Sequence, residues 1–226
     1  MNTLDLQTYL KNTKRYSGAL DGLWGAKTQA AVNLLLEDGP DTSLVEQDFI
    51  DSAKRLGCST AAIKAVCKVE ANGSGFFQGR PLILPEPHRF SKWTGHRFDA
   101  SHPAVSYPVW GTRPYPKTQD ARYLTLFNMI QLDVDGGFAS ASYGRFQIMG
   151  ENYKLCGYSS PMAFAEAMAK DEKTQLRAFE AFITANGLVN ALRNGDWKAF
   201  AKGYNGSAYA QNQYDTRLAQ AHQSFV

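Results

Sequence analysis

Residues 61–70 read AAIKAVCKVE, and NGSGFFQGR follows at 72–80. Ile63, Val66, Cys67 and Glu70 stand at i, i+3, i+4 and i+7, so they share one face of a helix. Cys58-Ser59-Thr60 before them offers an N-cap, and the glycines after Glu70 break the helix. A carboxylate on an otherwise apolar stripe is costly unless it is paired or protonated. Burial raises its pKa. A carboxylic acid still protonated near neutral pH can donate a proton to a leaving oxygen, which glycoside cleavage requires. The competing reading is a helix-end Glu that is exposed or paired with a Lys or Arg, and periodicity alone favours it.

Upstream, 45–56 has the pattern of a helix closed by Gly57. Residues 1–37 form a helix, a Gly-rich turn (ALDGLWG) and a helix. Leu4, Leu6, Tyr9 and Leu10 recur at helical spacing in the first, and Ala30, Ala31, Leu34 and Leu35 share a face in the second. Between these units DGPDTSL (38–44) gathers Gly, Pro, Asp and Ser, so it is the linker candidate. The expected division is 1–40 and 45–226, with the two modules close together.

Downstream, 81–116 holds seven of nine prolines and three of four histidines, with Trp93, Tyr107, Trp110 and Tyr115. So many prolines exclude a continuous helix. The expectation is a long ordered excursion with short strands such as PLIL and HRF, of the kind that tends to be functional. After 117 the helical pattern returns in DARYLTLFNMIQLD, ENYKLCG, SPMAFAEAMAKDEKTQLRAFEAFITANG, LVNALRNG, DWKAFAKGYNG and YDTRLAQAHQSF. The fold class is therefore mainly α, with a small β element at most.

The chain has 226 residues, 44% hydrophobic and 20% charged, with a formal net charge of +3. This is the composition of a globular protein large enough to bury a core. Lys and Arg are scattered rather than clustered, which argues against a nucleic-acid partner. A mild positive balance suits an anionic polymer, and solubility explains it equally well. Cys58, Cys67 and Cys156 are an odd count without framework spacing, so buried free thiols are expected. No stretch reaches the length of a membrane span, and the first residues lack the apolar core of a secretory signal. The expectation is a chain that folds in a reducing cytoplasm, without stable membrane insertion and as a monomer.

Four further features carry chemistry. ILPEPHRF (83–90) sets Glu86 between two prolines, in an extended conformation, as a candidate second carboxylate; Asp99, Asp133 and Asp135 compete with it. ASYGRFQIMG (141–150) places Gln147 among apolar neighbours, either to bond a sugar hydroxyl or N-acetyl group or as a structural tie. KGYNGSAYAQNQYDTRL (202–218) spaces Tyr204, Tyr209 and Tyr214 five residues apart, with Asn205 and Gly206 between the first two, as flat rings near turns suited to sugars or as ordinary core. His88, His96 and His102 match no metal-ligand spacing, so loop packing is expected and no metal or cofactor is implied.

Together VEANGSGF (69–76), GRPLILPEPHRF (79–90), ASYGRFQIMG and YNGSAYAQNQYDTRL (204–218) resemble the N-acetylmuramidase domain of certain phage endolysins over about residues 45–226. The Glu…GxxQI arrangement is similar to the goose-type lysozyme and lytic transglycosylase superfamily. The N-terminal segment resembles the type 1 peptidoglycan-binding module, a small three-helix unit, with its DGxxGxxT pattern on Asp21, Gly22, Gly25 and Thr28. The resemblance implies a lysozyme-like fold and hydrolysis of the β-1,4 bond between N-acetylmuramic acid and N-acetylglucosamine. It implies Glu70 as the catalytic acid with Glu86 beside it, Gln147, Tyr143, Tyr204 and Asn205 in the cleft, and Asp21 and Trp24 as wall contacts. Prolines 85 and 87 stand where the family pattern implies a bulkier and a basic residue. The implied partner is bacterial peptidoglycan, reached from the host cytoplasm with the help of a separate factor such as a holin, and then acted on in the periplasm or cell wall. Two rivals stay open: a lytic transglycosylase cutting the same bond with a 1,6-anhydro product, and a non-catalytic wall-binding or virion structural protein.

Overall fold

The computed structural model describes residues 1–37, 39–70 and 73–226, apart from the side chains of 207 and 208. Asp38 of the linker, Ala71, and Asn72 of the Gly-rich breaker lie outside the described residues. The fold is mainly α.

The first unit consists of α1 (Thr3–Asn12) and α2 (Ala26–Leu36). The third helix of the implied module is not found among the described residues up to 40. Asn2 caps α1 in a reciprocal capping box with Asp5. Gln7, fully buried, organises the turn between the helices. Its Nε2 donates to Asp21 Oδ1 and Leu23 O, both at 2.9 Å, and its Oε1 accepts from the Asp21 and Gly22 amides. The buried face of α2 is Ala31, Val32, Leu35 and Leu36, while Leu34 is exposed. The expected face is thus rotated: the run Leu34-Leu35-Leu36 allows two apolar stripes, and packing against α1 and the larger unit selects the later one.

Helix α3 (Glu46–Leu56) ends where Gly57 adopts φ +64°, a left-handed position that favours glycine. Helix α4 (Thr60–Glu70) follows, with Ser59 Oγ accepting from the Ala62 amide as its cap. The β element is small. Strands β1 (Phe76–Phe77) and β2 (Arg80–Pro81) form a hairpin. Strand β3 (Ile83–Pro85), β4 (Ala141–Tyr143) and β5 (Ile148–Met149) form an antiparallel sheet in the order β3-β4-β5. PLIL is therefore partly strand as expected, whereas HRF is not. Residues Pro87–Trp93 form helix α5, because Pro87 sits at its first turn, where the missing N–H and fixed φ suit a helix start.

The remaining helices are α6 (Gln119–Leu132), α7 (Val134–Ala139), α8 (Pro161–Met168), α9 (Glu172–Ala185), α10 (Val189–Asn194), α11 (Trp197–Asn205) and α12 (Tyr214–Gln223). The long apolar pattern at 160–187 is two helices. Asp171 stops continuity by capping α9, its carboxylate accepting from the Thr174 amide at 2.6 Å. ENYKLCG is not an α-helix but a short 3-10 turn at Gly150–Asn152 followed by turns.

One apolar cluster runs through both units. Leu6, Leu10 and Leu35 belong to it together with Val66, Phe164, Phe179 and Phe200. Polar ties reinforce the junction: the Tyr9 hydroxyl donates to Glu166 at 2.5 Å, and Arg15 pairs with Glu166 at 3.1 Å. The linker is pinned as well, since the Asp41 amide bonds Lys170 O and the Leu44 amide bonds Glu172. A second, smaller cluster of Phe90, Val105 and Met129 lies beneath the Pro-rich excursion.

Candidate active site

Helix α4 ends at Glu70, and α11, α12, the β3-β4-β5 sheet and the excursion surround that end. Together they enclose a cleft of about 640 Å³. Glu70, Glu86, Gln147, Tyr204, Asn205, Tyr209 and Tyr214 line it, with His88, Trp110, Ser142 and Asn212. Four blocks far apart in sequence meet here.

Glu70 is partly buried and lines the cleft. Burial pushes its pKa up to about 7, against the opposing effects of a hydrogen bond from Asn205 and the Arg217 guanidinium. Asn205 Nδ2 donates to Glu70 Oε1 at 3.0 Å. Asn205 ends α11, and Gly206 after it has φ +81°. Arg217 reaches from α12 to the Val69 carbonyl at 3.1 Å, and its guanidinium lies 5.3 Å from the Tyr214 ring centre. The Asn205 Oδ1 is buried and has no partner among the described residues, so an unused acceptor sits beside the acid.

Glu86 has extended backbone, φ −117° and ψ 90°, as its flanking prolines require. Its amide bonds Ser140 O at 2.8 Å, which anchors it at the end of the sheet. Its carboxylate accepts a hydrogen bond from the Tyr115 hydroxyl and lies 3.2 Å from His88 Nδ1. Burial raises the Glu86 pKa, while the Tyr115 bond and the Arg89 charge oppose the rise. Burial and Arg89 also hold His88 below its ordinary pKa, so His88 meets Glu86 as a neutral imidazole near pH 7. The competing carboxylates have structural partners: Asp99 bonds Ser91, Ser106 and His96, Asp133 caps α7 and pairs with Arg97, and Asp135 takes the N-terminal ammonium. Two carboxyls in unlike environments facing one cleft can divide proton donation from charge stabilisation.

Gln147 faces the cleft with its amide already engaged. Its Oε1 accepts from Ser142 Oγ at 2.8 Å, and its Nε2 donates to Gly144 O at 2.8 Å and Leu82 O at 3.3 Å. One acceptor position is left for a ligand. Tyr204 likewise donates its hydroxyl to Phe146 O at 2.6 Å and packs its ring among Phe179, Phe182 and Phe200. It offers the cleft a rigid edge.

Tyr143 is not in the cleft. It is 1% exposed, its hydroxyl donates to Phe138 O at 3.0 Å, and its ring meets Phe164 edge-on. The reason is the period of a strand: on β4, Ser142 faces the cleft and Tyr143 the opposite side, which is core. Asp21 and Trp24 lie in the first unit, outside this cleft. Asp21 ties its turn through Gln7 and the Leu23 amide, and these bonds lower its pKa; Trp24 packs against the common core.

Several residues carry this site without having stood out in the sequence. Glu172 is fully buried, accepts from the Gly75 amide at 2.6 Å and pairs with Arg145 at 3.0 Å. Arg145 in turn donates to Gly73 O, so the loop after Glu70 is tied to the 141–150 block. Gly144 has φ +70°, and a Cβ there would fall 2.4 Å from the Gln175 side chain. Tyr115 and Trp110 come from the excursion. The Pro114-Tyr115-Pro116 bracket, a twin of the bracket around Glu86, was the available signal for Tyr115. Two of the excursion's three histidines serve as ties: His96 bonds Ser91 and Asp99, and His102 bonds Ser101.

Residues 59–226 match the muramidase family model, described as N-acetylmuramidase. The chain is similar to the crystal structure of the Burkholderia AP3 phage endolysin, with 31% identity and a TM-score of 0.73, over 99% of this chain and 94% of that one. No curated protein matches. With the family match covering most of the chain, the protein belongs to the N-acetylmuramidase family.

Proposed function

We propose that this chain is a peptidoglycan-cutting endolysin in which Glu70 protonates the glycosidic oxygen between N-acetylmuramic acid and N-acetylglucosamine. The observation that carries this reading is a carboxyl with a pKa of about 7 at the edge of a cleft that also holds a second carboxyl. Glu86, in its ionised form, orients the attacking water or stabilises the sugar cation. Asn205 holds Oε1 of Glu70, which leaves Oε2 to carry the proton. Glu70→Gln tests the assignment. Wall lysis should fall on the order of 10²–10⁴-fold, while near-normal lysis by a normally folded variant removes Glu70 from the role.

The raised pKa of Glu86 favours one alternative route, in which a single acid acts and the sugar's own hydroxyl attacks. Mass spectrometry of the released muropeptides separates the two. Hydrolysis leaves a reducing end, and the intramolecular route leaves an anhydro ring lighter by one water.

The same reading takes residues 1–40 as a wall-binding module acting with the 45–226 unit, in a monomer. Support comes from the turn pattern at Asp21, Gly22, Gly25 and Thr28 and from the exposed Leu23 beside Trp24. Among the described residues no helix is long and apolar enough to cross a membrane. Passage from the host cytoplasm to the wall by a separate factor such as a holin belongs to this proposal.

A further inference from the structure

A second groove, of about 440 Å³, lies outside the cleft, between the loop 101–105 and α6. Asn128, Gln131 and Leu132 stand at i, i+3 and i+4 on that helix, so they line the groove from one face. Val105, buried, and Leu132, half-buried, give it an apolar floor and belong to the small cluster of Phe90 and Met129. The loop opposite is held in shape by its own bonds. The His102 amide bonds Phe98 O at 2.7 Å, the Val105 and Ser106 amides return to His102 O, and Ser106 Oγ donates to Asp99 at 2.5 Å. The polar groups of the groove, by contrast, are open. Among the described residues Arg113 has no carboxylate partner, and the exposed carboxamides of Asn128 and Gln131 make no hydrogen bond to the protein. None of the residues that line the groove is acidic.

We propose that this groove binds the peptide stem that hangs from the muramic residue of peptidoglycan, with Arg113 taking a stem carboxylate. This rests on the peptidoglycan-cutting reading above and adds the peptide arm of the substrate to it. A stem is a short peptide of alanine methyls and free carboxylates. The guanidinium fork of Arg113 matches a carboxylate and has no protein carboxylate to compete for it. A carboxamide both donates and accepts, so Asn128 and Gln131 suit the amide groups of an extended backbone. Methyl groups cover the small floor of Val105 and Leu132 without demanding a deep pocket. Position favours the same occupant. Arg113 follows Trp110, which lines the cleft, by three residues, and such a segment spans at most about 11 Å. A stem of four or five residues extends roughly 13–18 Å. A sugar lodged in the cleft can therefore lay its stem across this segment and into the groove.

The test gives the full chain two substrates: wall glycan carrying its stems, and the same glycan after an amidase has removed them. KM for each is read from the release of soluble fragments. Arg113→Glu should raise the ratio of the stem-bearing to the stem-free KM about tenfold or more. Asn128→Asp combined with Gln131→Glu sets two carboxylates on the α6 side and should raise the same ratio, so the test survives a failure of either variant to fold, which a thermal melt reports. Binding is read directly on the chain carrying Glu70→Gln, from the side-chain amide signals of Asn128 and Gln131 in an NMR titration with the free stem tetrapeptide. Those signals should shift at millimolar peptide, and Arg113→Glu should weaken the response. A ratio unchanged in the folded charge-reversed variants, or amide signals that the peptide does not move, overturns the proposal. Failure of the muramidase reading shows differently: the unaltered chain then cuts neither substrate, and the amide signals alone decide the groove.

Discussion

Asn205 donates its amide to Oε1 of Glu70 at 3.0 Å, from the last residue of one helix to the last residue of another. This bond favours the ionised carboxylate, so burial raises the Glu70 pKa despite it. Asn205→Ala should raise that pKa further and move the basic limb of the pH–activity profile to higher pH. It should also lower the maximal rate by about tenfold, because the carboxyl loses the group that fixes its plane. A pH–rate series on purified wall reads both effects.

The Glu70 assignment carries a stability signature with a defined sign. The folded pKa is about 7 and the ordinary one 4.5, so between these values the folded chain holds a proton that the unfolded chain has lost. Stability therefore falls as pH rises through that window. Glu70→Gln has no such titration. Relative to the natural chain, it should gain roughly 1–3 kcal/mol on going from pH 4 to pH 8. Denaturant melts at the two pH values check this.

Replacing Tyr143 separates core from cleft. Tyr143→Phe should cost about 1 kcal/mol of stability through the lost bond to Phe138 O, with an unchanged KM for wall fragments. An increased KM would return Tyr143 to the cleft.

The buried Glu172 anchors the loop that follows Glu70. Glu172→Ala strands Arg145 and the Gly75 and Leu44 amides. Such a loss at a buried pair costs about 3–5 kcal/mol. Limited proteolysis should then show new cleavage at residues 73–76, before global unfolding.

How far the sequence discloses this site depends on whether the information is local. The place of Glu70, at the end of a helix and on its apolar face, is legible because helical period and a glycine stop act within a dozen residues, whereas its proposed role comes from the four blocks taken together. The caps at Ser59 and Gly57 and the extended backbone at Glu86 are local for the same reason. Tyr143 is not, because β4 is three residues long and too short for its alternation to show which face is buried. Glu172 looks like any acidic residue in a first helical turn; only tertiary packing buries it under Arg145. The rotated face of α2 has the same cause, since three consecutive leucines leave the choice to their neighbours. Trp110 and Tyr115 sit in a segment whose prolines announce order without announcing where it leads.

A fifth expectation concerns cooperativity. Leu10→Ala opens a cavity in the common cluster and should cost about 2–5 kcal/mol. Calorimetry should show a single transition shifted as a whole, with no early melting of the first unit.

The same continuity bears on reach. A wall anchor on a slack tether would sample a volume set by the length of its leash and let the cutting unit graze around each attachment point. Here the cluster joining Leu10 to Phe164 and the Tyr9–Glu166 contact leave the first helices no arc to swing through. On the proposed wall-binding reading, a strand held by the Asp21 turn would meet the cleft at one fixed spacing, as if laid along a ruler. Exchanging this segment for a different module would therefore mean recutting the core beneath it, not merely splicing a cartridge.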